Sequence, residues 1–163
     1  MSDNENEFEV TESGATITNL VEAGRLKNNS AVMIKDHPCR VTDFSTAKPG
    51  KHGSAKAMVF GKDVFTDKMY TESFGTGDMI PAPILEKTEY TLINLEEEDG
   101  TLTLMDTQGE IKEDMNLPTA DHLTDISNHI KKIFDDGKRE CLVTVLKWGD
   151  REQVATVREG QDQ

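Results

Sequence analysis

The residues best suited to chemistry lie together at positions 45–56, which read S-T-A-K-P-G-K-H-G-S-A-K. Lys51 and His52 stand between two glycines, Gly50 and Gly53, and apolar runs flank the stretch. No acid occurs between Asp43 and Asp63, although Lys48, Lys51, Lys56 and Lys62 all fall in that interval. In a chain of net charge −13 this local reversal of sign calls for an anionic partner.

Several chemistries can be weighed at this stretch. A phosphate-binding loop needs G-x-x-x-x-G-K-[ST], but here Ser45 takes the place of the first glycine and His52 follows the lysine. No helical pattern follows to offer an N-terminus to phosphate. The G-x-x-G of positions 50–53 matches the backbone-clamping loop of KH modules, yet that loop joins helices and both flanks here read as strands. An ordinary solvated hairpin tip accounts for Pro49 and the two glycines. It accounts poorly for four lysines without a nearby carboxylate, so composition favours a hairpin tip that contacts RNA.

Other candidates are weaker. His37-Pro38-Cys39 suggests a metal, but Cys141 is the only other thiol and the set does not close a zinc site. A turn at 36–38 followed by a buried cysteine is the expectation. His122 and His129 fall on the polar side of a predicted helix, and the acids at 96–99 lack the glycine and ligand spacing of a calcium loop. No nucleophile–base–orienter set is visible, so no catalytic residue and no metal ligand is assigned and the chain reads as a non-enzyme.

The elements that must position the stretch are short and mostly β. Strands are expected at 31–35, 40–44, 55–60 and 68–73, with a turn at 75–77. Ala55, Ala57 and Val59 alternate with Lys56 and Met58, as on a half-buried strand, so the Lys51 segment is the tip of a hairpin. Pro81 and Pro83 predict a stiff junction, because each fixes its own φ and restricts the residue before it. A second β series follows at 90–95, 101–105 and 110–115, with turns at 98–100 and 108–109. Leu123, Ile126, Ile130, Ile133 and Phe134 then shift to helical spacing, with Thr119 or Asp121 as N-cap and Gly137 beyond the end. Strands at 141–148 and 153–158 complete the chain. Short strands with turns between them favour barrels, and the second series with its helix suits an oligonucleotide/oligosaccharide-binding (OB) barrel.

Bulk properties agree. Residues 1–12 hold five acids and no base, residues 13–85 are net +2, and residues 86–163 are net −10. This asymmetry predicts two units with different tasks behind a disordered acidic tail. Two cysteines are too few for a disulfide framework and point to a reducing compartment. The N-terminus lacks a basic segment followed by an apolar one, and no apolar run approaches a membrane span. A cytoplasmic protein without a membrane association is expected.

At this point the residues resemble a family. The 45–56 stretch is similar to the hypusine loop of the eukaryotic initiation factor 5A family, S-T-x-K-x-G-K-H-G-x-A-K. The resemblance continues through V-F-G-K-D-V-F-T-D-K-M-Y (59–70), G-E-I-K-E-D-M-N-L-P (109–118) and L-V-T-V-L (142–146), and covers the chain from about residue 16. Pro49 and Ser54 stand where eukaryotic members usually carry Thr and His, and resemble the archaeal loop. The resemblance implies a disordered tail over 1–15, an SH3-like barrel over 16–84 and an OB-fold domain over 85–163. It further implies a translation factor that binds the ribosome near the exit site, beside peptidyl-tRNA and rRNA. There it promotes peptide-bond formation at stalled sites such as proline runs, and termination. Lys51 would be the hypusine residue, built from spermidine by deoxyhypusine synthase and finished by deoxyhypusine hydroxylase, with no other cofactor. Gly50 and Gly53 would give the loop its geometry, and Lys48, His52 and Lys56 would contact RNA or the modifying enzymes. An RNA-binding module acting off the ribosome, with Lys51 unmodified, is the alternative.

Overall fold

A computed structural model describes residues 17–47 and 55–163. The expected tail and the loop residues Lys48, Gly50, Lys51, His52 and Gly53 lie outside the described residues. The fold is mostly β, with eleven strands and one α-helix among the described residues. It divides into two units, one ending at Leu85 and the other beginning at Glu86.

In the first unit, β2 (Ala31–Ile34), β3 (His37–Ala47), β4 (Lys56–Asp63) and β5 (Met69–Gly75) form an antiparallel sheet in chain order. Its inner face buries Val32, Ile34, Cys39, Val41, Ala57 and Val59, with Phe44, Tyr70 and Phe74 packed at the margin. The alternation expected along β4 is present, Ala57 and Val59 being buried while Lys56 and Met58 are exposed. One turn is shifted from expectation. Lys35 and Asp36 both have positive φ, 51° and 68°, and Ile34 pairs with His37, so the connection is a two-residue hairpin turn. His37 and Pro38 therefore already belong to β3 rather than to a turn.

Two strands had no counterpart in the sequence reading, β1 (Thr18–Glu22) and β6 (Met79–Pro83), which pair antiparallel. Pro81 and Pro83, expected to stiffen a junction, lie inside β6. The register explains why they are tolerated. The Ile84 N–H donates to the Ile17 carbonyl (2.9 Å) and the Ala23 N–H to the Asp78 carbonyl (2.9 Å). Alternation then leaves Pro81 opposite Leu20 and Pro83 opposite Thr18 at positions that need no N–H donor. The inward side of this ribbon adds Val21 and Ile80 to the same core.

In the second unit a five-stranded sheet runs in the order β11-β10-β7-β8-β9. The strands are β7 (Glu86–Leu95), β8 (Thr101–Met105), β9 (Ile111–Asn116), β10 (Arg139–Trp148) and β11 (Arg151–Asp162). Its core comprises Leu92, Leu102, Leu104, Met115, Val143, Val145 and Val154. Lys112 of β9 reaches Glu152 of β11 (3.0 Å) and Asp114 (2.9 Å), so side chains link the two ends of the sheet, as suits a partly open OB barrel. Burial works against the charge on Lys112, but its hydrogen bonds to Asp114 and Glu152 outweigh that cost and hold its pKa above the ordinary value. The expected turns at 98–100 and 108–109 are present, and Gly100 and Gly109 have φ of 78° and 84°, values that favour glycine.

The helix α1 (Thr124–Asp136) packs Ile130 and Ile133 into this core, with Ile126 and Phe134 beside them. Gly137 ends it in the left-handed conformation, its N–H donating to the Ile133 carbonyl. The start departs from expectation, since neither Thr119 nor Asp121 caps it. A 3-10 turn over Asp121–Leu123 leads into α1, Leu123 stands at the cap position without a side-chain hydrogen bond, and the Ser127 hydroxyl donates to the Pro118 carbonyl. His122 and His129 are exposed, as expected.

Candidate functional site

The β3–β4 hairpin carries the basic stretch. Its cross-strand pairs run from Cys39 with Asp63 to Ala47 with Lys56, where the paired strands end next to residues 48–54. Of the six site residues expected from sequence, only Lys56 is described. It is exposed at the first position of β4, between Ala47 on one side and Gly75 on the other. Two features shape the hairpin beneath it. A bulge between Val41 and Asp43 bends β3, and the Thr42 hydroxyl donates to the Phe60 carbonyl (3.2 Å). On the inner side Ala57 and Val59 are completely buried, so Lys56 rises from a strand anchored to the core.

The far end of the same hairpin holds a cluster that sequence reasoning missed. Asp63 is 2% exposed. Its Oδ1 accepts from the Phe65 N–H (2.8 Å) and the Thr66 N–H (3.0 Å), and its Oδ2 lies 3.2 Å from Nδ1 of His37. The His37 ring stacks on Tyr70, with centroids 4.0 Å apart and planes 10° from parallel. The partners of His37 thus come from β4 and β5. The available signal was the aspartate opening D-V-F-T-D, a turn in which a carboxylate accepts from the N–H groups that follow it.

Both cysteines are free thiols and buried. Burial, and for Cys39 also the charge of Asp63 opposed by a backbone hydrogen bond from Ile34, pushes both thiols up to about 11. At pH 8 only about one thousandth of either is ionised. Iodoacetamide is therefore expected to leave Cys39 and Cys141 unlabelled in the folded protein and to label both after denaturation, as read by intact mass. Among the described residues no three His, Cys, Asp or Glu side chains are grouped to hold a metal ion. In the second unit the turn between β7 and β8 presents Glu96, Glu97, Glu98 and Asp99 to solvent, and Asp99 Oδ1 accepts from the Thr101 N–H (3.0 Å). That turn has the wrong sign for a phosphate backbone. Among the described residues no helix is long and apolar enough to cross a membrane.

Comparison with known proteins gives the same division. Residues 16–77 match the family model described as translation initiation factor 5A-like, N-terminal. Residues 84–158 match the model described as eukaryotic elongation factor 5A hypusine, DNA-binding OB fold. The chain is 36% identical to eukaryotic translation initiation factor 5A-1 of Arabidopsis thaliana over 159 residues, covering 98% of each protein. It is 38% identical to eukaryotic translation initiation factor 5A of Dictyostelium discoideum over 162 residues, covering 97% of this chain and 98% of that one. Among solved structures, a translation initiation factor 5A family protein from Naegleria fowleri superposes with a TM-score of 0.79 at 33% identity, covering 88% of this chain and 99% of the other. Eukaryotic translation initiation factor 5A from Methanococcus jannaschii superposes with a TM-score of 0.64 at 26% identity, over 86% of this chain and 95% of that one.

Proposed function

The chain belongs to the translation initiation factor 5A family and is a translation factor, and from that premise we propose that it acts on the ribosome through a hypusine arm on Lys51. The observation that carries this reading is the stretch 45–56, in which Lys51 stands between Gly50 and Gly53 on the β3–β4 hairpin of the less acidic unit. Deoxyhypusine synthase would attach an aminobutyl group from spermidine to the Lys51 amine, and deoxyhypusine hydroxylase would complete the residue. In sequence, Lys51 has the side-chain-free Gly50 beside it and Gly53 two residues on, and Lys48, His52 and Lys56 would add donors and positive charge to the same stretch.

The arm adds about 6 Å of reach and a second amine. A thin dication enters an RNA crevice that a folded element cannot, and phosphates attract it. At the exit site, beside peptidyl-tRNA, its contribution is to hold the acceptor end in a reactive position, an orientational effect that transfers no proton. Stalled sequences such as proline runs, and termination, are where such positioning limits the rate. The work is done in the cytoplasm, with rRNA and tRNA as partners and no membrane.

Peptide mass spectrometry of the protein from its own cells tests the reading. The peptide containing Lys51 is expected to carry the aminobutyl increment, with or without the hydroxyl. An unmodified Lys51 in such material would overturn it in favour of an RNA-binding module acting off the ribosome.

A further inference from the structure

We propose that the outward face of β4, with the strands beside it, is a stacking platform for single-stranded RNA, beginning at Lys56, next in sequence to the Lys51 stretch. The inward residues of this strand, Ala57, Val59, Gly61 and Asp63, are all buried. The outward ones read Lys56, Met58, Phe60, Lys62, a stripe about 20 Å long with a cation at each end and apolar side chains between. The register widens the stripe into a surface. Met58 lies between Ser45 and Ser73, Phe60 between Asp43 and Thr71, and Lys62 between Arg40 and Met69.

Three features give this face its partner. Met58 is 38% and Met69 53% exposed, and Phe60 is half-buried, so this face presents apolar surface with part of an aromatic ring. Hydroxyls of Ser45, Thr71 and Ser73 flank it as donors. The charged groups on or against the face are Arg40, Lys56, Lys62 and two acids, Asp67 and Asp43, the latter with its Oδ1 accepting from the Phe44 N–H (2.9 Å). One Nη of Arg40 donates to the Asn29 carbonyl (3.0 Å), and Lys62 stands 3.7 Å from the exposed carboxylate of Asp67, a contact too open to neutralise it. Cations at both ends of a row with an aromatic ring and one thioether between them match a phosphate backbone whose bases stack on the row. The acidic β7–β8 turn of the second unit offers no such surface. The inference rests on the proposed RNA-facing role of residues 48–54 for its location, since the stripe begins at Lys56.

The test uses the full hypusine-bearing chain and a short labelled single-stranded RNA of mixed sequence, with affinity read by fluorescence anisotropy across a salt series. Phe60→Thr is expected to weaken binding about five-fold or more, and Phe60→Tyr, which keeps the ring, to stay within about two-fold of the parent. Lys62→Gln is expected to weaken binding and to reduce the slope of log affinity against log salt by about 0.7, the loss of one phosphate contact. Parent-like RNA affinity in both Phe60→Thr and Lys62→Gln overturns the platform. So does weakened ribosome binding with unchanged RNA affinity, which assigns the stripe to a protein partner. Lys51→Arg separates the two ideas. If it abolishes activity on ribosomes while the stripe variants bind RNA normally, the hypusine reading stands and the platform falls; the reverse pattern does the opposite.

Discussion

Lys51→Arg is expected to slow synthesis through consecutive prolines at least about tenfold, to the rate without the factor, and to leave the thermal unfolding of the protein unchanged. Arginine preserves the positive charge and much of the length of lysine. It removes the nucleophilic amine to which an aminobutyl group can be joined, because the guanidinium stays protonated at any working pH. The variant therefore isolates the arm from the charge. A tenfold effect corresponds to about 1.4 kcal/mol, a small part of what orientation of reacting groups can supply, so the demand on the arm is modest. Residue 51 lies in sequence between Ala47 and Lys56, and the strands that end there are held by the buried Ala57 and Val59 and by the cross-strand ladder from Cys39 to Lys56. A reconstituted translation assay with a proline-run message reads the result. Full activity of Lys51→Arg would end the hypusine account.

The second large effect is on stability, at the opposite end of the same hairpin. Asp63→Ala is expected to destabilise the first unit by about 3 kcal/mol. It removes one carboxylate that serves as acceptor for the Phe65 and Thr66 N–H groups and as partner of His37 Nδ1, in a place where water does not reach the side chain. For a unit of this size that loss lowers the melting temperature by roughly 10–20 °C. Asp63→Asn keeps an oxygen for the two N–H groups and gives up only the interaction with His37, so its cost is about 1 kcal/mol. Calorimetry of the two variants decides the matter. Equal losses would mean that the charge opposite His37, rather than the capped turn, holds this end of the hairpin together.

Much of the architecture was legible because it is written in short-range pattern. The alternation at 55–60, the change to helical spacing after Leu123, and the glycines at 100, 109 and 137 each constrain the backbone locally, and each appears where expected. The misses share one physical cause, dependence on distant partners. β1 is five residues with no clear alternation, and β6 contains two prolines; neither looks like a strand until the other is beside it. His37 has a carboxylate partner 26 residues away, which no local pattern reveals. The start of α1 was misjudged because its first turn is held by Ser127 reaching back to the Pro118 carbonyl instead of by a cap at its own N-terminus. The candidate site differs again. Its lysines and glycines are legible as a motif, but the proposed lengthening of Lys51 would be the work of other proteins, and no backbone pattern of this chain encodes it.

The β1–β6 ribbon has a consequence for how the chain is made. Among the described residues the first strand of the unit pairs with its last, and the Ile84 N–H donates to the Ile17 carbonyl. As the polypeptide leaves a ribosome, β2 to β5 emerge in the order in which they pair, and each hairpin can close on its neighbour at once. Val21 cannot be locked into the core until Ile80 has been synthesised and released. A translation factor of this design thus completes its own N-terminal half only after the β6 segment has cleared the exit tunnel, so a pause before that point holds a nascent chain with one strand still waiting for its mate.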